Sequence, residues 1–331
     1  MSSLRRWTAS LPGVAAPVGI SALVGVAALA GCSSDGPESA ADPVRTIVEF
    51  ADAQPGEVIA LRADDTDPTV VEWIDRRAGT IRSIDIDDPT TITVLASIDV
   101  GTDGEQRGLL GHTVVDGVRY AAWTDPDTEH LLVGELTATP TADGPADVDR
   151  IVWEAGGTAG GAVGGHLAAT ADGMLVLGIG QLTDWAKEHG SGAMLQLDPQ
   201  GPPEQTPVVL SDGYINPFAF AVDGDRLWVA DNAVGDDTER TGIVDLANGS
   251  QRLDRQDLDA TGGAPRAPSA VAVLGDGSVA VCGFLDAELR PWSPDTPGYG
   301  AAIGPCLTGA AMLANGTIVT ATADALVAIA S

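Results

Sequence analysis

Cationic side chains are scarce in this sequence. Lysine occurs once, at Lys187, and lysine plus arginine number 17 against 47 acidic residues in a chain of 331, for a net charge of −30. Such a chain excludes a nucleic-acid-binding surface, and a surface that grips anionic lipid, because both need clustered positive charge. An acidic, lysine-poor surface also suits a high-salt habitat, with biased base composition as the plainer account. Histidine is nearly as scarce. The four residues at 112, 130, 166 and 189 show neither H-x-H nor H-x-x-x-H spacing, so no zinc site is expected. There is no G-x-S-x-G elbow with a triad, no P-loop, and no dinucleotide glycine motif leading from a strand into a helix. The glycine cluster at 156–165 (GGTAGGAVGG) lacks the following helix and lysine that phosphate binding would require, and reads as a flexible connection.

Long apolar runs are absent except at the N-terminus. Arg5 and Arg6 precede an Ala/Val/Leu/Gly stretch from Leu11 to Ala30, interrupted by Pro12 and Pro17. This layout predicts a signal peptide over 1–31 rather than a membrane span, which needs about 20 strongly apolar residues. Arg5-Arg6-Trp7 also resembles a twin-arginine export signal. The stretch ends Leu29-Ala30-Gly31-Cys32, which resembles a bacterial lipobox, and a polar tether follows over 32–43. The expectation is export, with lipid on Cys32 anchoring the protein to the outer face of the cell membrane. Only Cys282 and Cys306 remain. In an oxidising setting they are expected to form one disulfide, two separate buried thiols being the alternative.

What the sequence has in quantity is a repeat. An apolar strand, a tight turn and a second strand recur in TVVDGVRYAAW, LAATADGMLVLG, AFAVDGDRLWVA, VAVLGDGSVAVC and AAMLANGTIVTA. The turns fall at Asp116-Gly117, Asp172-Gly173, Asp223-Gly224, Asp276-Gly277 and Asn315-Gly316, where glycine accepts the positive φ of hairpin turns. A degenerate sixth copy, EVIALRADDTDPTVVEWI, turns at 64–68. A third strand follows each hairpin, at 79–85, 130–136, 192–198, 241–246, 289–292 and 325–330. A fourth is legible at 91–96, 150–154 and 207–210. Six units with a period of about 50 residues predict an all-β, six-bladed β-propeller with four-stranded blades over 44–331. The last unit has no fourth strand, and the spare segment 45–50 is expected to complete it and close the ring. Trp73, Trp123 and Trp228 are expected between blades, with sugar stacking as the other reading.

Several motifs then add up to a resemblance. Gln106-Arg107-Gly108-Leu109-Leu110-Gly111 matches Q-x-G-L-L-G. Gly164-Gly165-His166-Leu167, continuing to Asp172-Gly173, follows H-x-G-G-R-L and D-G-x-L. Gly213-Tyr214-Ile215-Asn216-Pro217 follows G-x-R-N-P, with Leu227-Trp228-Val229 behind it. Residues 105–331 thus resemble the soluble glucose and sorbosone dehydrogenases, six-bladed propellers that oxidise aldoses with pyrroloquinoline quinone and calcium. The resemblance implies cofactor contacts at Gln106, Asn216 and Asn232, and calcium ligands at Asp231, Asp236 and Asp237. It also places the family's base on Ala162, which has no acid–base group, and an arginine on Ile215. Its other cofactor-binding cations fall near Asp286, Cys306 and Thr308. His166 is the candidate substitute base, against the simpler reading of a structural histidine. A general base and a cation clamp for a tricarboxylate are what this chemistry requires. On these residues no cofactor is expected, whereas the resemblance itself implies the quinone and calcium. Two functions stay open: a lipoprotein holding a small polar ligand, a sugar or a protein on the propeller face, and an active quinone-dependent sugar dehydrogenase.

Overall fold

The computed structural model describes residues 44–50, 54, 56–104, 106–137, 144–158, 162–183, 190–233, 238–246, 253–254, 259–260 and 266–330. The expected signal peptide, Cys32 and the tether lie outside the described residues. Every regular element among the described residues is a strand.

The strands form six antiparallel blades. Blade 1 contains Val58–Ala63, Val70–Asp75, Thr80–Asp85 and Thr93–Ser97 in that order. Blade 2 contains Leu109–Val115, Val118–Thr124, His130–Leu136 and Val148–Thr158. Blade 3 contains Gly164–Ala169, Leu175–Ile179, Ala193–Leu197 and Val208–Asp212, with Leu253–Asp254 added in parallel at its edge. Blade 4 contains Ala219–Asp223, Arg226–Asp231 and Arg240–Asp245, and its outer strand is only Asp259–Ala260. Blade 5 contains Pro268–Val273, Val279–Gly283, Glu288–Ser293 and Thr296–Tyr299, with Gly304–Pro305 pairing beside them. Blade 6 contains Gly309–Met312, Ile318–Ala321 and Ala325–Ile329. Its fourth strand is Val44–Glu49, which pairs antiparallel from Val44 opposite Ile329 to Glu49 opposite Ala325. The segment predicted to close the ring does so.

The hairpin turns act as their residues require. At Asp116-Gly117 both residues adopt positive φ, 50° and 80°, which joins Val115 directly to Val118 across a two-residue turn. The degenerate first turn is organised instead by Asp64, whose carboxylate accepts from the backbone amides of Thr66 and Asp67.

Strand alternation sends side chains to both faces of every blade, so the apolar core is divided into six slabs, one at each blade–blade interface. Trp73 lies between blades 6 and 1 with Ile47, Leu61 and Leu326. Trp123 packs with Ile74 and Ile81 between blades 1 and 2. Leu131 meets Leu177 between blades 2 and 3, and Tyr214 meets Phe220 between blades 3 and 4. Between blades 4 and 5 Trp228 meets Trp292 edge-on at 5.8 Å. The slab between blades 5 and 6 is built largely of small side chains, Ala272, Ala280 and Ala310, and it is there that Cys282 and Cys306 form a disulfide with their Cα atoms 5.4 Å apart. The tryptophans fill space between blades, as expected. Neighbouring blades approach closely at two glycines. A side chain at Gly111 would meet the Gly165 carbonyl oxygen at 2.4 Å, and one at Gly178 the Pro217 carbonyl oxygen at 2.2 Å.

Because Ile47 is buried in the slab that joins the first and last blades, Ile47→Ala should cost about 2–4 kcal/mol in urea unfolding, and a loss below about 1 kcal/mol would show that closure contributes little. Reducing Cys282–Cys306 should cost about 3.5 kcal/mol on the chain-entropy estimate, read as a lowered midpoint under a thiol reductant.

Candidate functional site

The inner strands of blades 1, 2, 3 and 5 each carry a register break near their start, between Ile59 and Arg62, Leu109 and Gly111, Gly164 and Leu167, and Pro268 and Ala270. Bulges of this kind re-aim backbone and side chains where strands open onto a site. Ala60 and Ala267 sit beside two of them in left-handed conformation, each with φ of 51°. A non-glycine residue there costs about 1–2 kcal/mol, a strain that collects at ligand sites.

These openings surround a cavity of about 290 Å³ lined from all six blades, by Ile59, Gln106, Gly164, Asn216, Ser269 and Thr308 among others. A hydrogen-bond chain fixes its polar wall. Asn216 Oδ1 accepts from Gly164 N at 3.1 Å, and its Nδ2 donates to Gln106 Oε1 at 3.1 Å, tying blades 2, 3 and 4 together. Asn232 N donates to the Asn216 carbonyl at 3.2 Å. Gln106, Asn216 and Asn232, separated by up to 126 residues of chain, all line the one cavity.

Asp231 is fully buried and turned toward backbone. Its carboxylate accepts from Asn216 N at 2.9 Å and Ile215 N at 3.2 Å, holding the Ile215-Asn216 segment in place. Asp236 and Asp237 lie outside the described residues. No group of three or more His, Cys, Asp or Glu side chains suited to a metal occurs among the described residues. Of the three expected calcium ligands, Asp231 alone is among the described residues, and its carboxylate is turned to the two backbone amides.

The fit to a tricarboxylate quinone is equally poor. Ile215 is buried and off the lining, Cys306 is in the disulfide, and Thr308 lines the cavity with its hydroxyl donating to the Val58 carbonyl. Asp286 pairs with Arg266 at 2.9 Å, Arg107 with Glu129 at 2.8 Å and Arg290 with Glu288 at 2.6 Å, so these arginines have acidic partners of their own. Arg76 is the one charged side chain of the lining among the described residues. Its Nε donates to the Gly56 carbonyl at 2.9 Å and its Nη1 to the Arg107 carbonyl at 2.7 Å. Burial, with Arg77 nearby, lowers its pKa from the ordinary value, and Glu57 partly opposes this. Sequence reasoning missed it because blade 1 lies outside the stretch that carries the resemblance. The signal was the Arg76-Arg77 pair directly after the second strand of a repeat unit.

His166 is not on the lining. It lies below, its ring 5.5 Å from Phe218, which does line the cavity, and 4.8 Å from Phe220. Part of the residue stays accessible, but Nδ1 is sealed from solvent and has no hydrogen-bond partner among the described residues. It borders a void of about 20 Å³ on the axis, room for one water. Burial, together with His112, pushes its pKa down to about 4. Such a group holds no proton at neutral pH and is a weak base. Ala162 is also off the described lining, its carbonyl packed against Gly180.

A second buried cluster joins blades 1 and 2. Glu72 accepts from Arg119 Nη1 and Nη2, both at 2.7 Å, from Arg62 Nη1 at 3.1 Å, and lies 3.2 Å from His112 Nε2. Burial alone would raise the Glu72 pKa. The hydrogen bonds and charges of His112 and Arg119 outweigh it and hold the carboxyl well below its usual range.

His166 yields a signed prediction. The folded chain keeps its imidazole neutral down to about pH 4, whereas an unfolded histidine takes up a proton near 6.5. Its share of stability is therefore full above pH 6.5 and is lost as pH falls toward 4, about 3 kcal/mol in all. In His166→Leu the fall in urea-unfolding free energy between pH 7 and pH 4 should be smaller by that amount. Parallel pH curves would contradict it.

No protein-family model matches the chain, and no curated protein matches it. Among solved structures, the propeller is similar to the quinone-bound aldose sugar dehydrogenase of Streptomyces coelicolor, with TM-score 0.65 and 20% identity over 86% of this chain and 97% of that one. It is also similar to an oxidoreductase of Thermus thermophilus described as a glucose dehydrogenase, with TM-score 0.64 and 18% identity over 86% and 98%. A further glucose dehydrogenase gives 0.65 and 15% over 87% and 99%. At such identities the likeness concerns the fold: this chain is built as the soluble glucose and aldose sugar dehydrogenases are built.

Proposed function

We propose that this protein is a ligand-binding propeller of the cell exterior, carrying the dehydrogenase fold without its quinone chemistry. The observation that carries the reading is the cation content of the axial cavity. A cofactor with three carboxylates needs several cations to offset its desolvation, and the described lining offers Arg76 alone. The absence of an acid–base side chain on the described lining supports it further: Ala162 holds the family's base position, and His166 is shielded behind Phe218. The cavity suits a small polar ligand or sugar, held by the amides of Gln106, Asn216 and Asn232. A protein docked on the same face would cover the cavity rather than fill it.

The sequence around Cys32 supports export and attachment by lipid to the outer face of the membrane, with the propeller held in water. The charge of −30 speaks against nucleic acid as a partner.

Titrating the purified protein with pyrroloquinoline quinone and Ca²⁺, while following dye reduction with aldoses, separates the two functions. The expected result is neither saturable quinone binding nor turnover. Turnover above that of free quinone would establish an aldose dehydrogenase, the activity of its structural neighbours, and end this reading.

A further inference from the structure

Beside the axial cavity stands Leu285, the most exposed large apolar side chain among the described residues, at 62%. Its neighbour Phe284 is 37% exposed and forms part of the cavity lining. We propose that the ligand of this cavity is amphiphilic: an alkyl glycoside whose sugar head enters the cavity and whose chain leaves across Phe284 and Leu285. The proposal rests on the reading that the axial cavity is a ligand site, and adds the class of molecule that it takes.

Single exposed apolar residues are common on protein surfaces. What sets this pair apart is how firmly it is held. Phe284 N donates to the Ala267 carbonyl at 3.0 Å and Leu285 N to the Arg266 carbonyl at 3.3 Å. These bonds prolong the pairing of the first two strands of blade 5, where Pro268 stands opposite Gly283, out to the tip of the turn. Ala287, at φ of 54°, sends its N–H back to the Gly283 carbonyl at 2.8 Å. Asp286 accepts from Arg266 N at 2.6 Å and from Arg266 Nε at 2.9 Å, so the two charges of the tip meet each other. An apolar rim ordered in this way loses little freedom when a chain is laid on it.

Inside, the lining suits the head. Gln106 Nε2 and the Asn232 side-chain amide make no hydrogen bond among the described residues, and both residues line the cavity. The hydroxyl oxygens of Ser269 and Thr308 keep lone pairs beyond the bonds they donate to Leu307 O and Val58 O. Sugar hydroxyls, which both give and accept, match that mixture. The apolar part of the lining includes Leu110, Phe218, Ala267 and Pro268. Ala267 and Pro268 belong to the segment bonded to the rim, so apolar surface continues from inside the cavity to Phe284 and Leu285 outside it. Volume divides the ligand. The cavity's 290 Å³ or so lies at the lower edge of the roughly 300–1,000 Å³ usual for small-molecule sites, room for one sugar unit without its chain. The chain is left to the rim, where covering apolar surface supplies the driving force.

Calorimetric titration of the full-length protein in lipid nanodiscs, with the heats of empty discs subtracted, tests the proposal. The probes are the methyl and octyl D-glucosides, D-galactosides and D-mannosides, with octanol as the chain alone, all below micelle-forming concentrations. For at least one sugar the octyl glycoside should bind at least about tenfold tighter than the methyl glycoside, equivalent to about 1.4 kcal/mol. Octanol should bind more weakly than that octyl glycoside. Leu285→Ser should lose most of the gain from the chain while affinity for the methyl glycoside holds. If Leu285→Ser does not fold, an octyl glycoside with a diazirine at its chain end decides on the wild-type protein, and irradiation should label residues 284–287. Equal affinity for the methyl and octyl forms, a chain gain that survives Leu285→Ser, or label away from the rim would overturn the amphiphile assignment and leave the cavity a sugar site. Octanol binding as tightly as the octyl glycosides would overturn the place of the sugar head. Failure of every glycoside at millimolar concentration would remove both the proposal and the reading beneath it.

Discussion

The fold depends on a sheet that two distant parts of the chain build together. The core of this molecule is cut into six slabs, each shared by two neighbouring blades, and no slab belongs to a single blade. A ring of that kind gains its full burial only when the first and last blades meet. The pairing of Val44–Glu49 with Ala325–Ile329 brings Ile47 to that meeting point, beside Trp73 and Leu326. Arg45 adds a bond to the Ile86 carbonyl of blade 1. The same pairing covers a strand edge that would otherwise remain open to a second molecule.

The slabs are not equal. Four of them contain a tryptophan, and the slab between blades 5 and 6 relies on alanines and the Cys282–Cys306 link. Small residues there leave less apolar area to bury, so a covalent bond stands where packing is thinnest. This seam also borders the axial cavity, since Pro268 and Ser269 of blade 5 and Thr308 of blade 6 line it.

The architecture was legible in the sequence because Asp-Gly and Asn-Gly turns have few uses other than hairpins, and five of them recur at a blade-like period. The outer strands of blades 4 and 5 were not. Asp259–Ala260 is too short to alternate, and Thr296–Tyr299 follows Pro294 and contains Pro297, residues that signal a turn. At the site, Gln106, Asn216 and Asn232 were legible because they stand in motifs with fixed spacing. Arg76 and Glu72 were not, because each acquires its role from other blades: Arg76 from the carbonyls of Gly56 and Arg107, Glu72 from Arg119 and His112. Single-chain patterns report neighbours along a strand and are silent about neighbours around a ring. Asp231 illustrates the same limit, since an acidic residue after a blade strand suits a cation, yet its carboxylate is occupied by two backbone amides.

The close approach of neighbouring blades at Gly111 and Gly178 has a bearing on how a guest would be received. A Cβ at either place would run into main chain of the next blade, the Gly165 carbonyl or the Pro217 carbonyl. The spacing of blades 2, 3 and 4 at these two places is thus limited by main-chain contact. Around the cavity itself the lining comes from all six blades, so its shape follows from how the blades are spaced. Recognition in such a cavity is a matter of shape already present, with little of the affinity spent on rearrangement.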